Sequence, residues 1–162
     1  MPSYRKIFPS YDWDRDVVYV NQIINYSHIV GASNAGFIKN VPNEEIKSSD
    51  SSIARWIREN MSGCSCFVLF VGEKTYLSRW CLYEMRLARE LGLGRMVIYL
   101  TGMKSPSGVI CGSGPDPYFY DKGFRWYHEG NYLIKRYVWT MFPNPYQLLG
   151  DWIEDACVRA GR

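Results

Sequence analysis

The chain has 162 residues, 47% of them hydrophobic and 16% aromatic, with a formal charge of +3. That length fits one domain, residues 1–162, and the apolar content is ample for one core. The small charge argues against nucleic acid as a partner, because Arg55, Arg58, Arg79, Arg86, Arg89 and Arg95 are dispersed among glutamates and apolar residues.

The opening Met1-Pro2-Ser3-Tyr4-Arg5-Lys6 has neither an apolar h-region nor a small-residue cleavage site, so no signal peptide is expected and a cytoplasmic location is. No apolar run approaches the roughly 18–20 residues of a membrane span, so no membrane partner is expected either. Lys6-Ile7-Phe8 reads as a short strand ended by Pro9-Ser10-Tyr11-Asp12. From Asp14 to Tyr26, Val17, Val20, Ile23 and Ile24 fall at helical spacing, with Asp12 or Asp14 as the cap. A small-residue stretch from Gly31 leads into the strand Gly36-Phe37-Ile38. Ser49-Asp50-Ser51-Ser52 starts a second helix whose apolar face is Ile53, Trp56, Ile57 and Met61, and Gly63 ends it.

Cys66-Phe67-Val68-Leu69-Phe70-Val71 is apolar without alternation, as a strand buried on both faces should be. A helix from Trp80 to Leu91 follows, closed by Gly92 and Gly94, and Met96-Val97-Ile98-Tyr99-Leu100 is a second fully apolar strand. This rhythm predicts an α/β, flavodoxin-like parallel sheet with helices on both faces. Gly102–Pro117 reads as a long loop. Phe124–Tyr127 and Tyr132–Trp139, separated by His128-Glu129-Gly130-Asn131, read as a C-terminal aromatic hairpin, and Tyr146–Ala160 as a last helix.

The five cysteines are irregularly spaced, and Cys64-Ser65-Cys66 lacks the two-residue spacer of a zinc or redox pair. With only His28 and His128 to add, no metal site is expected, and the thiols are expected to be free.

Ligands of such sheets bind beyond the carboxyl ends of the strands. Glu84 is expected about one turn into the helix after the Cys66–Val71 strand, whose N-terminus points at that crevice. Trp80 lies at i−4 on the same face. A carboxylate beside an indole is partly desolvated and suits stabilising a cationic transition state. An acidic residue near a helix N-terminus also suits the macrodipole and needs no ligand.

Lys6-Ile7-Phe8-Pro9-Ser10-Tyr11, Val20-Asn21 with Asn25, and Ala35-Gly36-Phe37 resemble the opening of the TIR-like proteins of the bacterial Thoeris anti-phage defence system. Ser65–Gly72, the Thr75-Tyr76 turn, Ser78-Arg79-Trp80 and Tyr83-Glu84 carry the resemblance more specifically, and it spans residues 4 to 100. It implies a TIR-like enzyme that cleaves NAD, as substrate and not as cofactor, with Glu84 as the catalytic residue. The product implied is a cyclic ADP-ribose-type or ADP-ribose-conjugate second messenger that activates a separate effector, and a homo-oligomer is allowed. It places Phe8, Ser10, Tyr11, Asn21, Asn25, Trp80 and Tyr83 at the NAD pocket. Phe8, Ser10 and Tyr11 have an ordinary alternative as a strand end and turn, and Asn21 and Asn25 as solvent-facing amides. Members of that family often carry an aspartate after the second strand, where this chain has Lys39-Asn40. Either Lys39 brings positive charge to the same crevice and meets a pyrophosphate, or that part of the pocket differs, and with it the product. The competing class is a non-catalytic TIR-like interaction module, since a fold does not fix function.

Overall fold

The computed structural model describes residues 4–25, 35–38, 41–125 and 134–162. Five strands, β1 (Arg5–Ser10), β2 (Ala35–Phe37), β3 (Cys66–Val71), β4 (Gly94–Tyr99) and β5 (Ile134–Val138), form one sheet in the order β2-β1-β3-β4-β5. Every pair is parallel, with Phe8 opposite Phe67 and Val68 opposite Met96 in the central register. β3 is central and buried along its whole length, as its unbroken apolar run requires.

β1 runs through Pro9 rather than stopping before it. The short β2 explains this. Ile38 N–H donates to Ile7 O at 2.9 Å, so residues 7 and 9 point their backbone groups towards β2. β2 has ended opposite Pro9, and the missing N–H costs no ladder bond.

Among the described residues six α-helices surround the sheet: α1 (Val17–Ile24), α2 (Asp50–Met61), α3 (Arg79–Glu90), α4 (Pro117–Tyr120), α5 (Lys122–Arg125) and α6 (Leu149–Arg159). One face is covered by α1 and α6, where Val20, Ile23, Trp152 and Ile153 pack on Ile7, Val68, Phe70 and Ile98. The other is covered by α2 and α3, where Ile57, Met61, Met85 and Ala88 pack on Phe8, Phe67, Leu69 and Val97. Ser49 and Ser78 cap α2 and α3 by accepting from the N–H groups of Ser52 and Cys81. α1 starts at Val17 rather than Asp14, because Asp12 Oδ1 accepts from Asp14 and Arg15 N–H and holds residues 13–16 as a turn. All five cysteines are free and buried. No helix among the described residues is long and apolar enough to cross a membrane.

α6 approaches the sheet closely at Gly94, where an added Cβ would stand 2.8 Å from the backbone of Ala156 and Cys157. Backbone cannot step aside as a side-chain tip can. Gly94→Ala is therefore expected to destabilise the fold by about 1–3 kcal/mol. A urea midpoint equal to that of the wild type would contradict this packing of α6.

Among the described residues, the two predicted arms of the C-terminal hairpin do not pair with each other. Lys122–Arg125 is the helical turn α5, and Ile134–Val138 pairs parallel to β4. The predicted turn, residues 128–131, lies outside the described residues. β5 satisfies the edge of β4 that would otherwise stand unpaired, which a self-contained hairpin could not do. The aromatics then divide between the two faces. Tyr118 meets Phe124 edge-on at 5.0 Å on the α3 side, and Tyr137 stacks on Trp152 at 4.1 Å on the α6 side. The loop after β4 is more ordered than its Gly, Ser and Pro content predicts. Lys104 bridges antiparallel to Ile110, and Tyr19 O–H donates to Val109 O at 3.1 Å.

Candidate active site

A crevice opens at the carboxyl end of β1, at the point where strand order reverses and α1 and α2 leave on opposite faces. Its cavity is about 180 Å³. It is lined by Phe8 and Tyr11 from β1 and the turn after it, by Asn21 on α1 and Asn25 at its C-cap, and by Glu84 from α3. These five residues were expected there from the sequence. The α1 side places the asparagine amides at an exposed rim rather than deep in the cavity.

Trp80 and Tyr83 are not among the lining residues. The two rings pack edge-on against each other at 5.6 Å, and the Arg79 guanidinium lies 5.0 Å from the Trp80 ring. Tyr83, one turn on at i+3, occupies the indole before it can turn to Glu84. Two other tryptophans take the place expected for Trp80. Trp13, in the turn after β1, and Trp56, on α2, both line the crevice and meet at 6.1 Å, nearly perpendicular. Phe8 touches the edge of Trp56 at 6.5 Å. Helical spacing puts Trp56 on the apolar face of α2 and says nothing of Trp13. The available signal was a large apolar residue in a turn at the ligand edge. Lys39 lies outside the described residues.

Glu84 is 1% exposed. Its Oε1 accepts a 2.9 Å hydrogen bond from Ser10 Oγ, and its Oε2 is buried without a hydrogen-bond partner. Burial pushes the carboxyl up to about 8, and the Ser10 bond opposes that shift. Ser10 does not line the cavity, so it meets the crevice through Glu84 alone. Burial and the charge of Glu84 together hold the Tyr11 phenol up. The site is thus a largely apolar, aromatic-walled recess in which the Glu84 carboxyl has one oxygen without a hydrogen-bond partner.

A second buried carboxyl, Asp16, was not anticipated from the sequence. It occupies the N-cap position of α1, where its Oδ2 accepts from Thr75 Oγ1 at 2.8 Å. Thr75 Oγ1 in turn accepts from Gly72 N–H at 2.7 Å. Thr75 thereby ties α1 to the turn that leads into α3, which fixes two walls of the crevice relative to each other. Burial pushes Asp16 up to about 6, and the Thr75 bond opposes it. The raised carboxyl makes the fold lose stability as pH rises from the ordinary aspartate range through 6. Thr75→Val removes the donor and deepens that loss. The variant is expected to be less stable than the wild type by about 1–3 kcal/mol, with the gap wider at pH 8 than at pH 5. Equal melting temperatures at both pH values would contradict the assignment.

Comparison with known proteins gives two findings. The family model for "Thoeris protein ThsB, TIR-like domain" matches residues 8–105. A Bacillus cereus (strain MSX-D12) protein named "Putative cyclic ADP-D-ribose synthase ThsB1" is 30% identical over 94 residues, covering 58% of this chain and 48% of the relative. The chain therefore matches about half the length of that curated relative.

Proposed function

The chain belongs to the TIR-like domain family of the Thoeris protein ThsB, and from that premise we propose that it is a cytoplasmic NAD-cleaving enzyme of anti-phage defence. The observation that carries the proposal is the buried carboxyl of Glu84, anchored through one oxygen, with the other buried and unpartnered, in the wall of an aromatic crevice.

The bond to be broken joins ribose C1′ to the nicotinamide nitrogen. Its electron pair goes to the nitrogen, so the cationic ring leaves as neutral nicotinamide without a proton from the protein. The positive charge passes to the ribosyl carbon and ring oxygen, as in glycoside hydrolysis. Ionised Glu84 would meet the ribose hydroxyls and offset that charge, and its low-dielectric surroundings strengthen the effect. The aromatic walls of Trp13, Trp56 and Phe8 suit a flat cationic ring before cleavage, which would share Trp13 with the Lys47 ammonium 5.7 Å from its ring centre. A cavity of about 180 Å³ suits nicotinamide with its ribose rather than a whole dinucleotide. The ADP half would therefore cross the rim, past Asn21 and Asn25, with Lys39 proposed to meet the pyrophosphate.

The nucleophile that captures the ribosyl cation decides the product. Water gives ADP-ribose, an internal group gives a cyclic isomer, and another nucleophile gives a conjugate. We favour a cyclic ADP-ribose-type or conjugated messenger acting on a separate effector, in line with the name of the Bacillus cereus relative. Incubation with NAD followed by mass spectrometry tests this. Free nicotinamide should appear with a product of the mass of NAD less nicotinamide, or of a heavier conjugate. NAD left intact, both at high protein concentration and in extracts of phage-infected cells, would leave the non-catalytic interaction module as the better reading.

A further inference from the structure

Ser10 is the last residue of β1 and is fully buried, with its backbone in register with Leu69 of β3. Its hydroxyl is the hydrogen-bond partner of Glu84, and it stands behind the carboxyl rather than on the cavity wall. A carboxyl has two equivalent oxygens and a soft terminal torsion. One anchored oxygen fixes the plane of the group and decides which oxygen faces the ligand. We propose that Ser10 is a positioning residue: by holding Glu84 Oε1, it presents Oε2 alone to the ribose. This inference rests on the NAD-cleaving reading for its last step, but the link between the two side chains does not.

The geometry explains why so short a polar side chain sits at a fully buried strand end. β1 and β3 are held in register by the ladder, and α3 is fixed on the sheet by Cys81, Met85 and Ala88. The distance between Ser10 and Glu84 is therefore set by the core rather than by a loop. Among the described residues, the other titratable groups that sense Glu84 are Tyr11, just after β1, and Cys81 on α3, and both are held in their protonated, neutral forms. From α2 the crevice receives the uncharged Trp56. No cation among these neighbours offers Glu84 a counter-charge, which leaves the Ser10 hydroxyl to favour the ionised form.

The test is Ser10→Ala, with Ser10→Cys as the weak-donor comparison. Carbon-13 NMR of labelled glutamate carboxyls, with Glu84 assigned by its absence in Glu84→Gln, follows the titration in the free protein. Loss of a hydrogen bond to a charged group should move the Glu84 midpoint by about one pH unit to the alkaline side, with Ser10→Cys falling between. In turnover assays Ser10→Ala should lower kcat about tenfold with KM for NAD unchanged. An unmoved Glu84 titration overturns the proposal, and so does a raised KM with kcat intact, which would make Ser10 a direct NAD contact. Should the wild type not cleave NAD, the NMR titration still decides whether Ser10 controls Glu84, and only the enzymatic reading fails.

Discussion

Replacing Glu84 by glutamine is expected to lower NAD turnover by on the order of 10²–10³, the usual cost of removing one well-placed electrostatic stabiliser. The amide keeps the shape of the carboxyl and can retain the contact with Ser10, so the loss isolates the charge. The comparison belongs under conditions where the wild type turns over, such as cells under phage attack or high protein concentration. The variant should not unfold. Glu84 is pushed up to about 8 by burial, so the wild type loses stability as pH rises from the ordinary glutamate range to 8. The glutamine variant escapes that loss. Its melting temperature should therefore equal or exceed that of the wild type, with the advantage growing between pH 5 and pH 8. Reduced turnover accompanied by a lower melting temperature at pH 8 would contradict the account, because it would make Glu84 a structural residue.

The second large effect is the pH dependence of the wild type. Only the ionised form of Glu84 can offset a developing cation, and burial pushes the carboxyl of the free protein up to about 8. kcat/KM reports the free enzyme's groups, so below pH 8 it should rise about tenfold per pH unit, on the order of a hundredfold between pH 6 and 8, then level off. In the complex, the cationic nicotinamide ring favours the ionised carboxylate, and the midpoint of kcat should lie on the acid side of that for kcat/KM. A flat kcat/KM profile from pH 6 to 9 would mean that the charge of Glu84 is not used. Asp16, pushed up to about 6, titrates separately and does not line the crevice, so it should affect stability more than rate.

How much was readable in the sequence depended on whether a residue's role followed from its neighbours in the chain. The unbroken apolar runs of β3 and β4 could only be strands buried on both faces, and the parallel sheet followed from their alternation with amphipathic helices. The place of Glu84 at the carboxyl edge followed from the strand, turn and helix around it. β5 was hidden because aromatic, half-buried residues fit a hairpin and an edge strand equally well. Its pairing with β4 is a contact between residues far apart in sequence. The exchange of Trp80 for Trp13 and Trp56 has the same origin. Helical spacing puts Trp80 beside Glu84, but it does not reveal that Tyr83 holds the indole while α2 and the turn after β1 bring two others to the cavity. Asp16 was unreadable because its partner Thr75 is 59 residues away. What the sequence does carry is Thr75-Tyr76 itself, whose threonine now has a structural explanation.

The central claim is that Glu84 Oε2 faces the reacting ribose. A crystal structure with carba-NAD, whose carbocyclic ring resists cleavage, tests it most directly. The account predicts the nicotinamide beside Trp13 and Trp56, with a ring hydroxyl within hydrogen-bond distance of Glu84 Oε2 and Ser10 still on Oε1. Carba-NAD bound elsewhere, for example in the cleft beside Tyr76 and Tyr120, with the Glu84 crevice empty, would contradict it.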